Sequence, residues 1–387
     1  MKNNGKYKSF SRYFLAKLLR DYLRIRVSRV FKWSSTAHKL TPGCTAIIGM
    51  PSSLPTVLGA NLMCLSKLNW QDLKEVQITV DNVRGCLPEG YESMIINKYH
   101  NLPIFFNYYS QEQHKFAEKM CLPYIYSWLS WCICMDNTKT QDILIHDYDA
   151  MVFGNNLQNR YRKFKEEKSI FQGIRHYTDN GFSKKDELVT TFESFVDLRW
   201  IKTLNPIEIF NKVGKIGDKY VDFDTFLYAQ HAYMVKSKRT IGLMKEHELV
   251  HPTQMVHQYT MFRKKPSAKL PCYSIIMIPF FNFIGGNENA FILAKEALTK
   301  STSLIVDLIG DGSCINLSLL RIDHIDFMLK NMVQASLLLN LPPSIEMIDY
   351  GIALYQKAGV SEDLIWKGDF TSGQREWIDK VFIPARK

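Results

Sequence analysis

Between residues 46 and 146 four short apolar runs recur, each set off from the next by a helical stretch. They are Ala46-Ile47-Ile48-Gly49-Met50, Val76-Gln77-Ile78-Thr79-Val80, Pro103-Ile104-Phe105-Phe106-Asn107 and Ile143-Leu144-Ile145-His146. Short apolar and β-branched runs of this kind read as strands buried on both faces. Between them, Leu58, Leu62 and Leu65 mark one helix, and residues 89–99 and 111–135 are expected to form two more. Strand–helix alternation of this sort dictates an α/β domain, with a mostly parallel central sheet flanked by helices and joined by right-handed crossovers. The turn signal Thr41-Pro42-Gly43 opens this body.

The fourth run passes straight into Asp147-Tyr148-Asp149. In open parallel sheets, ligands bind at the C-terminal ends of the strands. Two carboxylates two residues apart at such a place can hold one hard divalent cation, Mn²⁺ or Mg²⁺, with positions left for substrate phosphate oxygens. Such a cation acts as a Lewis acid on a departing diphosphate. A bare Asp-x-Asp after a strand also occurs as a plain turn or helix cap. Here it follows three strand–helix units, which strengthens the metal reading.

The order of these features resembles that of the GT-A nucleotide-sugar glycosyltransferases, in a family-2-like layout, over about residues 44–265. The resemblance implies a Rossmann-like GT-A fold and transfer of a sugar, UDP-linked, from a nucleoside-diphosphate donor to a hydroxyl of a glycan or lipid-linked acceptor, as in polysaccharide biosynthesis. It implies that Pro51 and Ser52, in the loop after the first strand, meet the nucleotide. Asp81 and Asn82 at the end of the second strand would contact uracil or ribose. Asp147 would serve both nucleotide and metal, and Asp149 the metal. In His251-Pro252-Thr253-Gln254-Met255-Val256-His257, one imidazole would supply a third ligand, so His251 and His257 are both candidates. Inverting members carry an acidic pair that opens a helix and supplies the catalytic base. Tyr220-Val221-Asp222-Phe223-Asp224 stands there, with Val221-Asp222 in place of the usual Glu-Asp, which makes Asp222 the implied base and Asp224 its neighbour. A base must take the acceptor hydroxyl's proton. Without that role, Asp222 and Asp224 read as acids favoured at a helix N-terminus.

Two other functions compete. Haloacid-dehalogenase-type phosphatases also place Asp-x-Asp after an apolar strand, with the first Asp as nucleophile. That strand usually opens the domain, and here it does not. A non-enzymatic membrane-associated scaffold would leave Asp81, Asp147 and Asp149 without a shared purpose.

The net charge of +11 is concentrated at one end: residues 1–40 hold eleven Lys/Arg against a single acid, Asp21, and so carry +10. A nucleic-acid groove spreads its charge over a folded face, so no nucleic-acid partner is expected. Residues 10–26 read as an amphipathic helix, with Phe14, Leu15, Leu18, Leu19, Tyr22 and Ile25 on one side and Lys17, Arg20 and Arg24 opposite. Residues 10–32 are therefore expected either to lie on an anionic membrane surface or to dock on the body with their cations solvated. Eight Cys with no zinc or paired spacing read as free thiols of a reducing compartment. The longest apolar run, Tyr273 to Gly286, is too short and too broken to span a bilayer, which takes about 20 residues, and no signal peptide is evident. The expected location is cytoplasmic, peripheral on the inner face of a membrane.

The expected organisation is a basic arm (1–40), a GT-A catalytic domain (41–270) and a mainly helical C-terminal extension (271–387). Residues 184–240 read as mostly helical, and Trp366 and Trp377 in the tail read as exposed.

Overall fold

The four apolar runs form strands β1 (Thr41–Met50), β2 (Leu73–Val80), β3 (Ile104–Tyr108) and β4 (Thr140–Ile145) in a computed structural model that describes residues 5–34, 39–175, 180–242, 248–264 and 271–382. β1 pairs in parallel with both β2 and β4, and β2 with β3. Three further strands extend the sheet to seven, in the order Arg239–Gly242, Phe171–Ile174, Ser194–Asp197, β4, β1, β2, β3. Ser194–Asp197 runs antiparallel to both its neighbours, and every other pair is parallel. The expectation of a mostly parallel α/β sheet flanked by helices holds. β1 lies inside it, between β4 and β2, and Cys44 to Ile48 lose all contact with solvent, which explains the unbroken apolar run.

By contacts the chain divides into two units, each drawn from separate stretches. The first comprises Met1–Ser52, Asn69–Asp147 and Asn155–Met244, and contains the sheet. Its helices include α1 (Phe10–Val27), which starts at the capping residue Ser9. The second unit comprises Ser53–Leu68, Tyr148–Gly154 and Lys245–Lys387, and includes α2 (Leu58–Lys67). α3 (Tyr91–Lys98), α4 (Gln111–Met120) and α5 (Pro123–Asn137) belong to the first unit. α5 packs on β1 and β2. Its Trp128, Leu129, Cys132 and Ile133 share a core with Ile47, Ile143 and Ile145.

The single long helix expected over 111–135 is two. Ser110 and Gln113 close a capping box at the start of α4. Cys121 then turns left-handed (φ 50°), and Pro123 opens α5 at a position where its missing N–H costs nothing. Residues 184–240 are not mostly helical either. They contain the strand Ser194–Asp197 and a hairpin, Lys212–Ile216 with Lys219–Phe223. The hairpin turns at Gly217 (φ +58°), a conformation glycine adopts freely. Val213, Val221 and Phe223 are buried, so the alternation there has period two, not 3.6.

The second unit is largely helical: α2, Met255–Lys264, Ile278–Gly285, Ala290–Lys300, Ile322–Leu338, Ile345–Lys357 and Ser372–Phe382. It also holds two small antiparallel pairs, Met151–Val152 with Leu249–Val250 and Ile305–Asp307 with Cys314–Asn316. Trp366 and Trp377 are buried, contrary to expectation. Trp366 packs between Tyr355 and Phe370 and donates to the Ile348 carbonyl at 3.3 Å, while Trp377 donates to Leu341 at 3.2 Å.

Candidate functional site

Within the first unit, the residues singled out at the ends of β1 and β2 come together. The Asp81 amide donates to the Met50 carbonyl at 3.0 Å, continuing the β1–β2 ladder by one step. That step brings the Ser52 amide to 2.7 Å from Asp81 Oδ1, and Asn82 Nδ2 donates to Ser52 Oγ at 3.3 Å. Pro51, just before them, is buried. Loss of water around Asp81 pushes its carboxyl above the ordinary range, and the Ser52 amide and hydroxyl pull it part of the way back. Asn82 also accepts from the Tyr109 amide at 3.0 Å, which ties this cluster to the end of β3.

At the end of β4, the His146 amide donates to Ile47 at 3.1 Å, so the strand reaches its last ladder bond just before the acidic motif. Asp147 follows. Its amide donates to Glu193 Oε1 at 3.1 Å, and both Glu193 oxygens lie 2.8 Å from Nδ1 of His146. Neither His146 nor Glu193 has any side-chain exposure. Glu193 holds a left-handed backbone (φ 47°), and its carbonyl accepts from Arg160 Nη2 at 2.6 Å. Burial lowers the Arg160 pKa to about 10. Sequence reasoning missed this group. Its one signal was a His immediately before the acidic motif; nothing in the spacing tied it to a Glu 47 positions later.

In the second unit, Tyr148 and Asp149 begin a segment that α2 fixes. Asn61 Nδ2 donates to the carbonyls of Tyr148 and Ala150, each at 3.2 Å, and the Tyr148 hydroxyl donates to Leu54 at 2.5 Å while accepting from the Leu58 amide at 3.1 Å. The next residues form the short ladder in which Met151 faces Val250 and Val152 faces Leu249. An antiparallel ladder read one step beyond its end sets His251 opposite Ala150, next to Asp149 in the chain. His251 Nε2 lies 3.3 Å from Asp149 Oδ1. The other Asp149 oxygen accepts from the Val256 amide at 3.4 Å, at the start of the helix Met255–Lys264, where the helix dipole suits a carboxylate. Asp149 is buried and His251 half-buried. His257 is exposed on that same helix and, among the described residues, makes no hydrogen bond to Asp149.

Asp222 and Asp224 lie in the first unit and are engaged there. Asp222 accepts from the Tyr7 hydroxyl at 3.1 Å and from Arg20 Nη1 at 3.2 Å, both in the N-terminal arm. Burial raises its pKa against the pull of those two partners. Asp224 accepts from Asn211 Nδ2 and from the Thr225 amide, each at 2.8 Å.

No protein-family model matches the chain, and no curated protein sequence matches it. Among solved structures, TarS 1-349 of S. aureus is 12% identical, with 84% of this chain and 92% of that one covered and a TM-score of 0.34. Mannosyltransferase PcManGT of Pyrobaculum calidifontis, in complex with GDP-Man and Mn²⁺, is 11% identical, with coverages of 93% and 97% and a TM-score of 0.34. TarS 1-349 in complex with UDP-GlcNAc is 11% identical, with coverages of 83% and 93% and a TM-score of 0.31. Likenesses this distant do not bear on what this chain does, and its function is read from its own residues.

Proposed function

We propose that the chain is a metal-dependent glycosyltransferase of the GT-A type that takes a nucleoside-diphosphate sugar, a UDP-sugar, as donor. The observation that carries this reading is the His251–Asp149 pair, 3.3 Å apart, on an acidic motif that directly follows a parallel strand. Asp147, two residues earlier in the sequence, would add a second carboxylate to that pair. Two carboxylates and one imidazole suit Mn²⁺, which accepts mixed oxygen and nitrogen ligation, better than Mg²⁺. His251 rather than His257 takes the nitrogen position in this proposal. A cation held there would offset the negative charge of the donor diphosphate.

The chain's own residues supply the rest. Asp81, held by Ser52, offers a fixed acceptor at the sheet's C-terminal edge for a nucleoside N–H or hydroxyl. Glu193 holds the Asp147 amide and the His146 ring, and so restricts where the acidic motif begins. The base role for Asp222 and Asp224 is not carried forward, because both carboxylates already accept from groups that hold their own unit together. The acceptor in this reading is a hydroxyl of a glycan or lipid-linked glycan.

Thermal unfolding with UDP, GDP and ADP, each with and without Mn²⁺, tests the proposal on wild type and Asp149→Ala. A ligand that binds only the folded state raises the melting point by mass action. Stabilisation by one nucleotide that needs Mn²⁺ and disappears in Asp149→Ala is the expected result. No nucleotide-dependent shift under any condition would remove the reading.

A further inference from the structure

The arm turns its faces the opposite way from an ordinary amphipathic helix. The side of α1 that packs on the first unit is polar and aromatic as much as aliphatic. Tyr13 stacks on Tyr220 with centroids 4.2 Å apart, Arg20 reaches Asp222 at 3.2 Å, and Arg24 donates to the carbonyls of Phe210 and Asn211 at 2.9 and 3.3 Å. Tyr13, Leu23 and Val27 are buried on this side. The aliphatic ridge faces outward. Phe10, Leu15, Leu19 and Tyr22 are 61, 60, 63 and 61% exposed, and Phe14, Leu18 and Ile25 are about as open. Seven large apolar side chains in one exposed stripe are far from the scattered single residues that a soluble surface carries, and such a patch marks an interaction surface.

Charge says what covers it. Lys8 and Arg12 stand exposed at the start of the ridge, and Arg29 and Lys32 just past its end. The one acid in the arm, Asp21, is already paired with Lys17. A second copy meeting this stripe across a two-fold axis would bring two strongly positive ridges together, which opposes association. An anionic lipid surface matches both features at once: the apolar side chains enter the headgroup–acyl boundary and the cations meet lipid phosphates. No helix among the described residues is long and apolar enough to cross a membrane, so the contact is one of lying on the surface.

We infer that α1 is an interfacial anchor that binds the first unit to anionic lipid through Phe10, Phe14, Leu15, Leu18, Leu19, Tyr22 and Ile25. Its polar inward face fixes the helix to the body. Arg20 and Tyr7 on Asp222, and Arg24 on the Phe210 carbonyl, are the bolts. This inference does not rest on the glycosyltransfer reading, and either can fail without the other.

Sedimentation of the full chain with vesicles tests it. One set of vesicles is equal parts phosphatidylglycerol and phosphatidylcholine, and the other is phosphatidylcholine alone. The double substitution Leu18→Glu/Leu19→Glu touches only exposed positions, so circular dichroism and the melting point should match wild type. Wild type is expected to pellet with the anionic vesicles, far less with the neutral ones, and less as salt rises. The double variant should lose at least about tenfold in partition coefficient. Arg12→Gln/Arg29→Gln/Lys32→Gln should weaken binding and flatten its salt dependence. Failure to pellet with anionic vesicles, equal partition into neutral ones, or undiminished binding by the double variant would each overturn the inference. So would a concentration-dependent dimer that the double variant abolishes in the absence of vesicle binding, which would name a second copy as the occupant.

Discussion

Glu193 satisfies three groups at once: the ring of His146 and the amide of Asp147 through its carboxylate, and the guanidinium of Arg160 through its carbonyl. It does so from a left-handed backbone that costs an ordinary residue about 1 kcal/mol. Glu193→Ala would remove the acceptor of the His146 ring and of the Asp147 amide. A loss of about 3 kcal/mol in urea unfolding is expected. Asp81 lends itself to a pH test. Its folded pKa is raised, so the native state holds its proton more tightly than the unfolded chain, and stability falls as pH rises through the usual Asp range near about 4. Asp81→Asn keeps an acceptor for the Ser52 amide and carries no charge. Its melting point should exceed wild type at pH 7, and the gain should fade towards pH 4. In the proposed function the same substitution should weaken the nucleotide-induced shift, so one variant separates stability from binding. Equal melting points at pH 7 would contradict the first part.

At the scale of elements, the arm depends on one buried cation. Arg24 is buried, and the Phe210 and Asn211 carbonyls accept from it. Arg24→Ala should destabilise the protein by about 2 kcal/mol, chiefly by leaving buried carbonyls unmet. Arg20 and Asp222 are less enclosed, and Arg20→Ala should cost less. A double-mutant cycle between the two would read their coupling, and a value near zero would show that the ion pair does not hold the helix down. In the second unit Ile345–Lys357 presents Gly351 to the ring of Trp366 so closely that a Cβ has no room. Gly351→Ala should therefore cost about 1–3 kcal/mol despite its better helix propensity. The same contact explains why Trp366 is buried although it sits in a tail of turn residues: its partner is a bare stretch of helix, which a hydropathy reading does not register.

Over the whole molecule, all eight cysteines are free, and Cys44, Cys64, Cys132, Cys134 and Cys272 are buried, with burial pushing their thiols above the usual range. Thiolate, not thiol, is the reactive form. Reductant should leave the melting point unchanged. Alkylation of the native protein followed by intact mass should stop near the three more accessible thiols, Cys86, Cys121 and Cys314, and rapid labelling of all eight would contradict the burial. Both units contribute strands and helices from non-adjacent stretches, so the boundaries drawn along the sequence at 40 and 270 do not coincide with the divisions by contact. The arm belongs to the first unit, and α2 with the 148–154 segment belongs to the second.

The amino-acid sequence by itself determined the strands β1 to β4, their parallel orientation and the ends where Ser52, Asp81 and Asp147 emerge, because continuous apolar runs and strand–helix alternation are local patterns. It also determined that α1 is a helix with two unlike faces. Only the tertiary structure decided which face turns inward: the polar side wins because Asp222 and the Phe210 carbonyl wait for Arg20 and Arg24 there. It alone set His251, not His257, against Asp149, since that follows from a two-residue ladder between positions a hundred residues apart. Asn61, which holds Tyr148 and Ala150, and Glu193, which holds His146 and Asp147, were invisible for the same reason. Their partners are backbone atoms and a distant ring, and no spacing along the chain encodes a hydrogen bond that forms only when the chain has folded.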